Sequence, residues 1–152
     1  KGKSMSKWLA YYMTMRAAIY DEWVEQEIER SPRAVVLHIG CGMDSRIERI
    51  SVKGSQWYDI DFPEVIEARK EYYAESDNYK MIAADVRDGK WLSSIEHRQS
   101  AIVVMEGVCM YLTALEMRNL ADSLCAHFES VVLILDAYTA FAAKMSSDML
   151  SQ

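Results

Sequence analysis

Ala34-Val35-Val36-Leu37-His38-Ile39-Gly40-Cys41-Gly42-Met43-Asp44-Ser45-Arg46 is a run of β-branched and apolar residues broken by two glycines and followed by a polar segment. That order reads as a buried strand, a tight turn and a helix opening at Asp44. Gly40 and Gly42 carry no Cβ, so the turn can take φ values other residues avoid and can let a ligand approach the backbone. Amides at the head of the following helix would face that ligand, which suits a nucleotide-like or zwitterionic cofactor. The third position of the dinucleotide fingerprint holds Ser45 in place of glycine. The turn by itself therefore leaves several α/β proteins open, a NAD-dependent oxidoreductase among them.

Working toward the N-terminus, apolar residues recur at Trp8, Tyr12, Met15, Ile19 and Trp23. These steps of three and four predict an amphipathic helix over about 6–29, with the aromatic seam packed into the core or closing over a cofactor. Ser31-Pro32 stops it.

Toward the C-terminus, the helix after the glycine turn is expected to run to about Val52, and Lys53-Gly54-Ser55 turns the chain. Gln56–Asp61 reads as a second strand, and Pro63 suits the first position of a helix reaching about Glu75. Tyr79–Ala83 is a third strand leading to Asp85, and Ser93 with Glu96 predicts a capped short helix. Ala101–Met105 is a fourth strand ending at Glu106-Gly107. A Thr113/Glu116 capping box opens a helix through Leu120 and Leu124 toward Phe128. Val131–Leu135 is a fifth strand, closed by Asp136. Strands alternate with helices, and several strands are apolar without a period of two, which predicts an α/β fold with a mostly parallel sheet covered on both faces.

Composition narrows the partners. The 152 residues have room for one domain, taken as 1–152 with a core over 34–136 and a short tail, and 51% are apolar. Lys and Arg number 17 against 23 Asp and Glu, a net charge of −6 that repels nucleic-acid backbones and anionic membranes. No apolar run approaches the roughly 20 residues of a membrane helix. Cys41, Cys109 and Cys125 form no C-x-x-C pair and make no metal-ligand spacing with His38, His97 and His127. A cytoplasmic protein without a metal is the expectation.

In an open parallel sheet, ligands bind at the carboxyl ends of the strands, where strand order reverses. Those ends carry Gly40 and Gly42, Asp61, Asp85 and Glu106. Asp61 lies 21 residues beyond Gly40, near the spacing at which a carboxylate, an acceptor only, takes both hydroxyls of a ribose. Asp85 could meet the exocyclic amine of an adenine.

The strings HIGCGMDSR, WYDIDFPEVIEARK, AADVRDGKWL and VVMEGVCMYLT, in this order and spacing, resemble the S-adenosylmethionine-dependent methyltransferases of the leucine carboxyl methyltransferase type, a group that includes polyketide O-methyltransferases. The resemblance covers about Arg16 to Asp136 and implies a Rossmann-like class I methyltransferase fold. It places Gly40 and Gly42 under the methionine part of the cofactor, Asp61 on its ribose, and Asp85 and Val86 about the adenine. Glu106 would close the site near the cofactor's centre and Arg16 would meet its carboxylate. Arg46 resembles the arginine of the glycine-turn motif, with a structural ion pair as the alternative. Tyr111 would sit beside the acceptor pocket, or else pack under the next helix. The implied reaction is direct methyl displacement onto a small acidic or hydroxylated molecule, with orientation contributing on the order of 7 kcal/mol or more. An ionised acceptor needs no catalytic base, so none is assigned; a hydroxyl acceptor would make His38 or His97 candidates. A cofactor-binding pseudoenzyme is the remaining alternative. Only AYTAFAAKMSSDMLSQ follows Asp136, where proteins of this type continue with further helices and strands, so the chain reads as truncated. The apolar fifth strand would then lie at a sheet edge, to be covered by a second copy or by a further part of the protein.

Overall fold

A computed structural model describes residues 7–95 and 100–137. Helix α1 (Lys7–Arg30) leads into strand β1 (Val35–Ile39), the short helix α2 (Arg46–Arg49), β2 (Gln56–Asp61), α3 (Pro63–Arg69) and β3 (Tyr79–Ala83). A 3-10 turn (Lys90–Ser94), β4 (Ser100–Met105), a second 3-10 turn (Cys109–Tyr111), α4 (Ala114–His127) and β5 (Ser130–Leu135) follow. The five strands lie in the order β3-β2-β1-β4-β5, and every pairing is parallel. The order reverses between β1 and β4.

Alternate residues of the central strands feed two cores, which is why these strands carry no polar face. Val35, Leu37 and Ile39 pack with Val103 and Met105 against Trp91, Leu92, the α4 residues Leu120 and Leu124, and Phe128 just beyond that helix. On the other face Val36, Trp57, Ile102 and Val104 meet Tyr20, Val24 and Ile28 of α1. Helices therefore cover both faces. Thr113 and Glu116 cap α4 reciprocally, as the spacing predicts, with the Glu116 amide donating to Thr113 Oγ1 at 3.2 Å and the Thr113 amide to Glu116 Oε2 at 2.7 Å.

Four expectations are corrected. The seam Trp8-Tyr12-Met15-Ile19-Trp23 is exposed, Trp8 to 85%; the buried face of α1 is Tyr20, Val24 and Ile28. Helix period alone cannot choose between two apolar stripes on one helix. The helix after the glycine turn opens at Arg46, not Asp44, and ends at Arg49 rather than Val52. The Asp44 carbonyl accepts from Arg69 Nη1 at 2.8 Å, and the Glu48 amide donates three residues back to the Ser45 carbonyl at 2.9 Å. α3 stops at Arg69 instead of Glu75, tightening as the Tyr72 amide bonds the Arg69 carbonyl. Ser93 lies inside a 3-10 turn, its hydroxyl donating to the Lys90 carbonyl at 2.7 Å, so it caps no helix there; its partner Glu96 and also His97 lie outside the described residues.

Candidate functional site

The reversal between β1 and β4 opens a cleft at their carboxyl ends, as sheet topology requires. It holds two cavities that share Gly40. One, of about 300 Å³, is walled by apolar Ile39, Ile60, Val86 and Val108 and carries Asp61 and Asp85 on its rim. The other, of about 550 Å³, is lined by charged groups that include Arg16, Asp21, Arg49 and Glu106.

The glycine turn is built from positive φ, +65° at Gly40 and +50° at Gly42. The two glycines serve different ends. A Cβ on Gly40 would lie 2.4 Å from Val108 Cγ2, so the space it forgoes is filled by the protein's own valine rather than kept for a ligand. The Gly40 backbone itself still lines both cavities. A Cβ on Gly42 would meet nothing within 4 Å, and this is where the turn stands open.

Asp61 closes β2 with both carboxylate oxygens on backbone amides, Oδ2 accepting from Gly42 at 2.8 Å and Oδ1 from Phe62 at 2.8 Å. Each oxygen keeps a lone pair free for a further donor. Asp85 accepts from the Arg87 amide at 3.0 Å and from its guanidinium at 2.8 Å, and hydrogen bonding to Arg87 holds its carboxyl below the usual range. Val86 lies beside it in the apolar wall.

Glu106 sits beyond β4 between two arginines, accepting from Arg16 Nε at 2.8 Å and Arg46 Nη2 at 2.5 Å. Arg16 also reaches Asp136 at 3.3 Å, and Asp136 accepts from the Gly107 amide at 3.0 Å. Arg46 is fully buried and donates to Asp21 at 2.7 Å. Its alternative reading as a structural ion pair is the one the geometry takes.

His38 is a buried core histidine. Its Nε2 lies 3.2 Å from Arg46 Nη1, which can only donate, so the ring proton belongs on Nδ1, 3.1 Å from Asp59 Oδ1. Both ring nitrogens are thus engaged by neighbouring side chains. Tyr111 does not pack under α4: it is 77% exposed, on the rim of the cavity that Asp61 and Asp85 share.

The structure thus gathers Gly40, Asp61, Asp85, Val86 and Tyr111 about one cavity and Arg16, Glu106 and Gly40 about its neighbour. Sequence reading missed Asp59, Arg69 and Tyr79, a buried cluster beneath the turn. A charged residue inside the apolar strand QWYDID was the available signal. Among the described residues no His, Cys, Asp and Glu grouping could hold a metal, and no helix is long and apolar enough to cross a membrane.

Comparison with known proteins identifies the family and the fold. The leucine carboxyl methyltransferase family matches residues 1–125. The tetracenomycin polyketide synthesis O-methyltransferase TcmP of Streptomyces glaucescens is 37% identical over 126 residues, 82% of this chain and 47% of its own. The S-adenosyl-L-methionine-dependent methyltransferase dpfgK of Gibberella zeae is 31% identical over 135 residues, 83% of this chain and 45% of its own. The chain therefore spans about half the length of these curated relatives. Among solved structures, the N-methyltransferase NodS of Bradyrhizobium japonicum, in complex with S-adenosyl-L-homocysteine, shares the fold with a TM-score of 0.60 at 15% identity, over 85% of this chain and 65% of NodS. With the family matched over most of its length, the chain belongs to the leucine carboxyl methyltransferase family of S-adenosylmethionine-dependent methyltransferases.

Proposed function

We propose that this chain is the cofactor-binding part of an O-methyltransferase that uses S-adenosylmethionine to methylate a small acidic or hydroxylated molecule. The observation that carries the reading is the convergence of Gly40, Asp61, Asp85 and Val86, from three strand ends, on one cavity at the reversal of strand order.

The residues fit such a cofactor. The acceptor-only carboxylate of Asp61 and the apolar walls Ile39, Ile60 and Val86 suit an adenosine, and the open side of Gly42 leaves room at the turn for the methionine part. The neighbouring cavity offers both Arg16 and Arg49 cations and Asp21 and Asp44 carboxylates, the pair of charges that a zwitterionic amino-acid group needs. The cofactor supplies a methyl group already activated on a sulfonium sulfur. The protein's share is to hold and orient. Asp61 would take the ribose hydroxyls, Asp85 and Val86 would flank the adenine, and Arg16 would meet the carboxylate. Glu106, braced by Arg46, would set the inner wall. Tyr111 would face the acceptor from the rim. No side chain is assigned as a base, which favours an acceptor oxygen already ionised at neutral pH.

The O-methyltransferase TcmP, with its polyketide pathway, supports a small-molecule acceptor. Nothing favours nucleic acid on a surface of net charge −6. β5 lies at an edge of the sheet among the described residues, and pairing with a second copy through it belongs to the same proposal.

Titration calorimetry with S-adenosylhomocysteine and with NAD tests the reading. The expected outcome is binding of the first alone, weakened about 10- to 100-fold by Asp61→Ala through loss of hydrogen bonds to a charged group. Binding of neither, or of NAD in preference, overturns it.

A further inference from the structure

Residue 42 is gripped at both polar ends by the same stretch of chain. Its amide donates to Asp61 Oδ2 at 2.8 Å, and its carbonyl accepts from Arg69 Nη1 at 2.9 Å. The same Nη1 reaches the Asp44 carbonyl at 2.8 Å, so one nitrogen ties two carbonyls of the turn together. Arg69 is fully buried, and its Nη2 donates to Asp59 Oδ2 and lies 3.4 Å from the Tyr79 hydroxyl. The guanidinium stacks over Tyr73, its carbon 4.4 Å from the ring centroid. Asp59 is itself fixed by the Trp57 indole at 2.9 Å and the Tyr79 hydroxyl at 2.6 Å.

This arrangement is rigid in a way the turn needs. Two positive-φ glycines leave the backbone free to relax, because Gly populates alternative conformations at little cost. A planar five-donor group can bond several acceptors in one fixed geometry, which an ammonium on a flexible stem cannot. The Gly42 and Asp44 carbonyls are part-buried, and a carbonyl shut off from water without a donor is destabilising.

We infer that Arg69 is a positioning residue for cofactor binding: from α3 it locks the Gly42–Asp44 carbonyls in the one conformation that leaves the turn open to the ligand, with Asp59 and Tyr79 holding the guanidinium in place. The inference rests on the cofactor reading above, and it assigns the string DFPEVIEAR a second task beyond its ribose carboxylate.

The alternative is that Arg69 merely neutralises a buried Asp59. Two variants separate these roles. Asp59→Asn combined with Arg69→Leu removes both charges together, an exchange that buried pairs often tolerate. Arg69→Lys keeps a cation beside Asp59 and gives up the fork. Two measurements are made on the 152-residue chain: S-adenosylhomocysteine affinity by calorimetry, and hydrogen exchange at the Cys41–Asp44 amides without ligand. Both variants are expected to retain a cooperative melt, to bind about tenfold or more weakly, and to exchange these amides about tenfold or more faster while β1 is unchanged. Wild-type affinity and wild-type exchange in Arg69→Lys overturn the inference, whether or not the double variant folds. If the unaltered chain fails to bind, the cofactor reading falls, and the inference that depends on it falls as well; exchange at the turn would then report on local rigidity alone.

Discussion

At the scale of single residues, the two glycines of the turn make opposite predictions. Gly40→Ala places a methyl 2.4 Å from Val108 Cγ2 at φ +65°, combining overpacking with left-handed strain. A loss of about 2–4 kcal/mol in urea denaturation is expected. Trimming the valine should relieve part of it, so Gly40→Ala with Val108→Ala should cost less than the two singles added, by about 1 kcal/mol. Gly42→Ala meets no neighbour, and only its φ of +50° counts against it, about 1 kcal/mol. Asp59 carries a pH prediction. Burial by itself would raise its pKa, but hydrogen bonds from His38 and Tyr79 and the charge of Arg69 outweigh this and hold it below the usual carboxylate range. A carboxylate lowered by folding stabilises above its unfolded pKa, and that stability drains away as the pH falls through the folded value. Wild-type stability should therefore drop as the pH falls below about 4. Asp59→Asn strands the buried Arg69 charge, so it should lose about 3–5 kcal/mol at pH 7 and show a shallower acid limb.

At the scale of elements, α1 carries two apolar stripes and buries the shorter. Ile28→Ala should cost about 2–5 kcal/mol, whereas Met15→Ala on the exposed stripe should stay within about 0.5 kcal/mol, both read from thermal or urea unfolding. The capping box of α4 was legible because its two side chains lie three residues apart and answer only to local backbone. Thr113→Ala should remove about 1 kcal/mol. The start of α2 was not legible, because the carbonyl at its head is taken by a side chain from another helix. Arg69 takes the carbonyl that α2 would need to begin at Asp44, and it does so by reaching across from the last position of α3.

At the scale of the whole molecule, the sheet order β3-β2-β1-β4-β5 brings residues as far apart as 40 and 106 to one cleft. Among the described residues it also leaves β5 at an edge, with Leu133 41% exposed. Sedimentation equilibrium should show concentration-dependent self-association of this chain, abolished by a proline at a β5 position whose amide faces outward; a monomer at every concentration would remove pairing through β5 from the proposal. Five strands, their parallel arrangement and the acidic groups at their ends were set by the sequence itself, since an apolar run bounded by turn residues has one stable place, inside a covered sheet. Local pattern also placed Asp61 and Asp85 at the strand ends that meet in the cleft. Only the tertiary structure decided which stripe of α1 is buried, that Gly40 is spared a side chain for Val108, and that the glycine turn is held from beneath by Arg69. Each of these depends on what a residue meets across the fold, and contacts between distant segments leave no period or spacing in the chain that makes them.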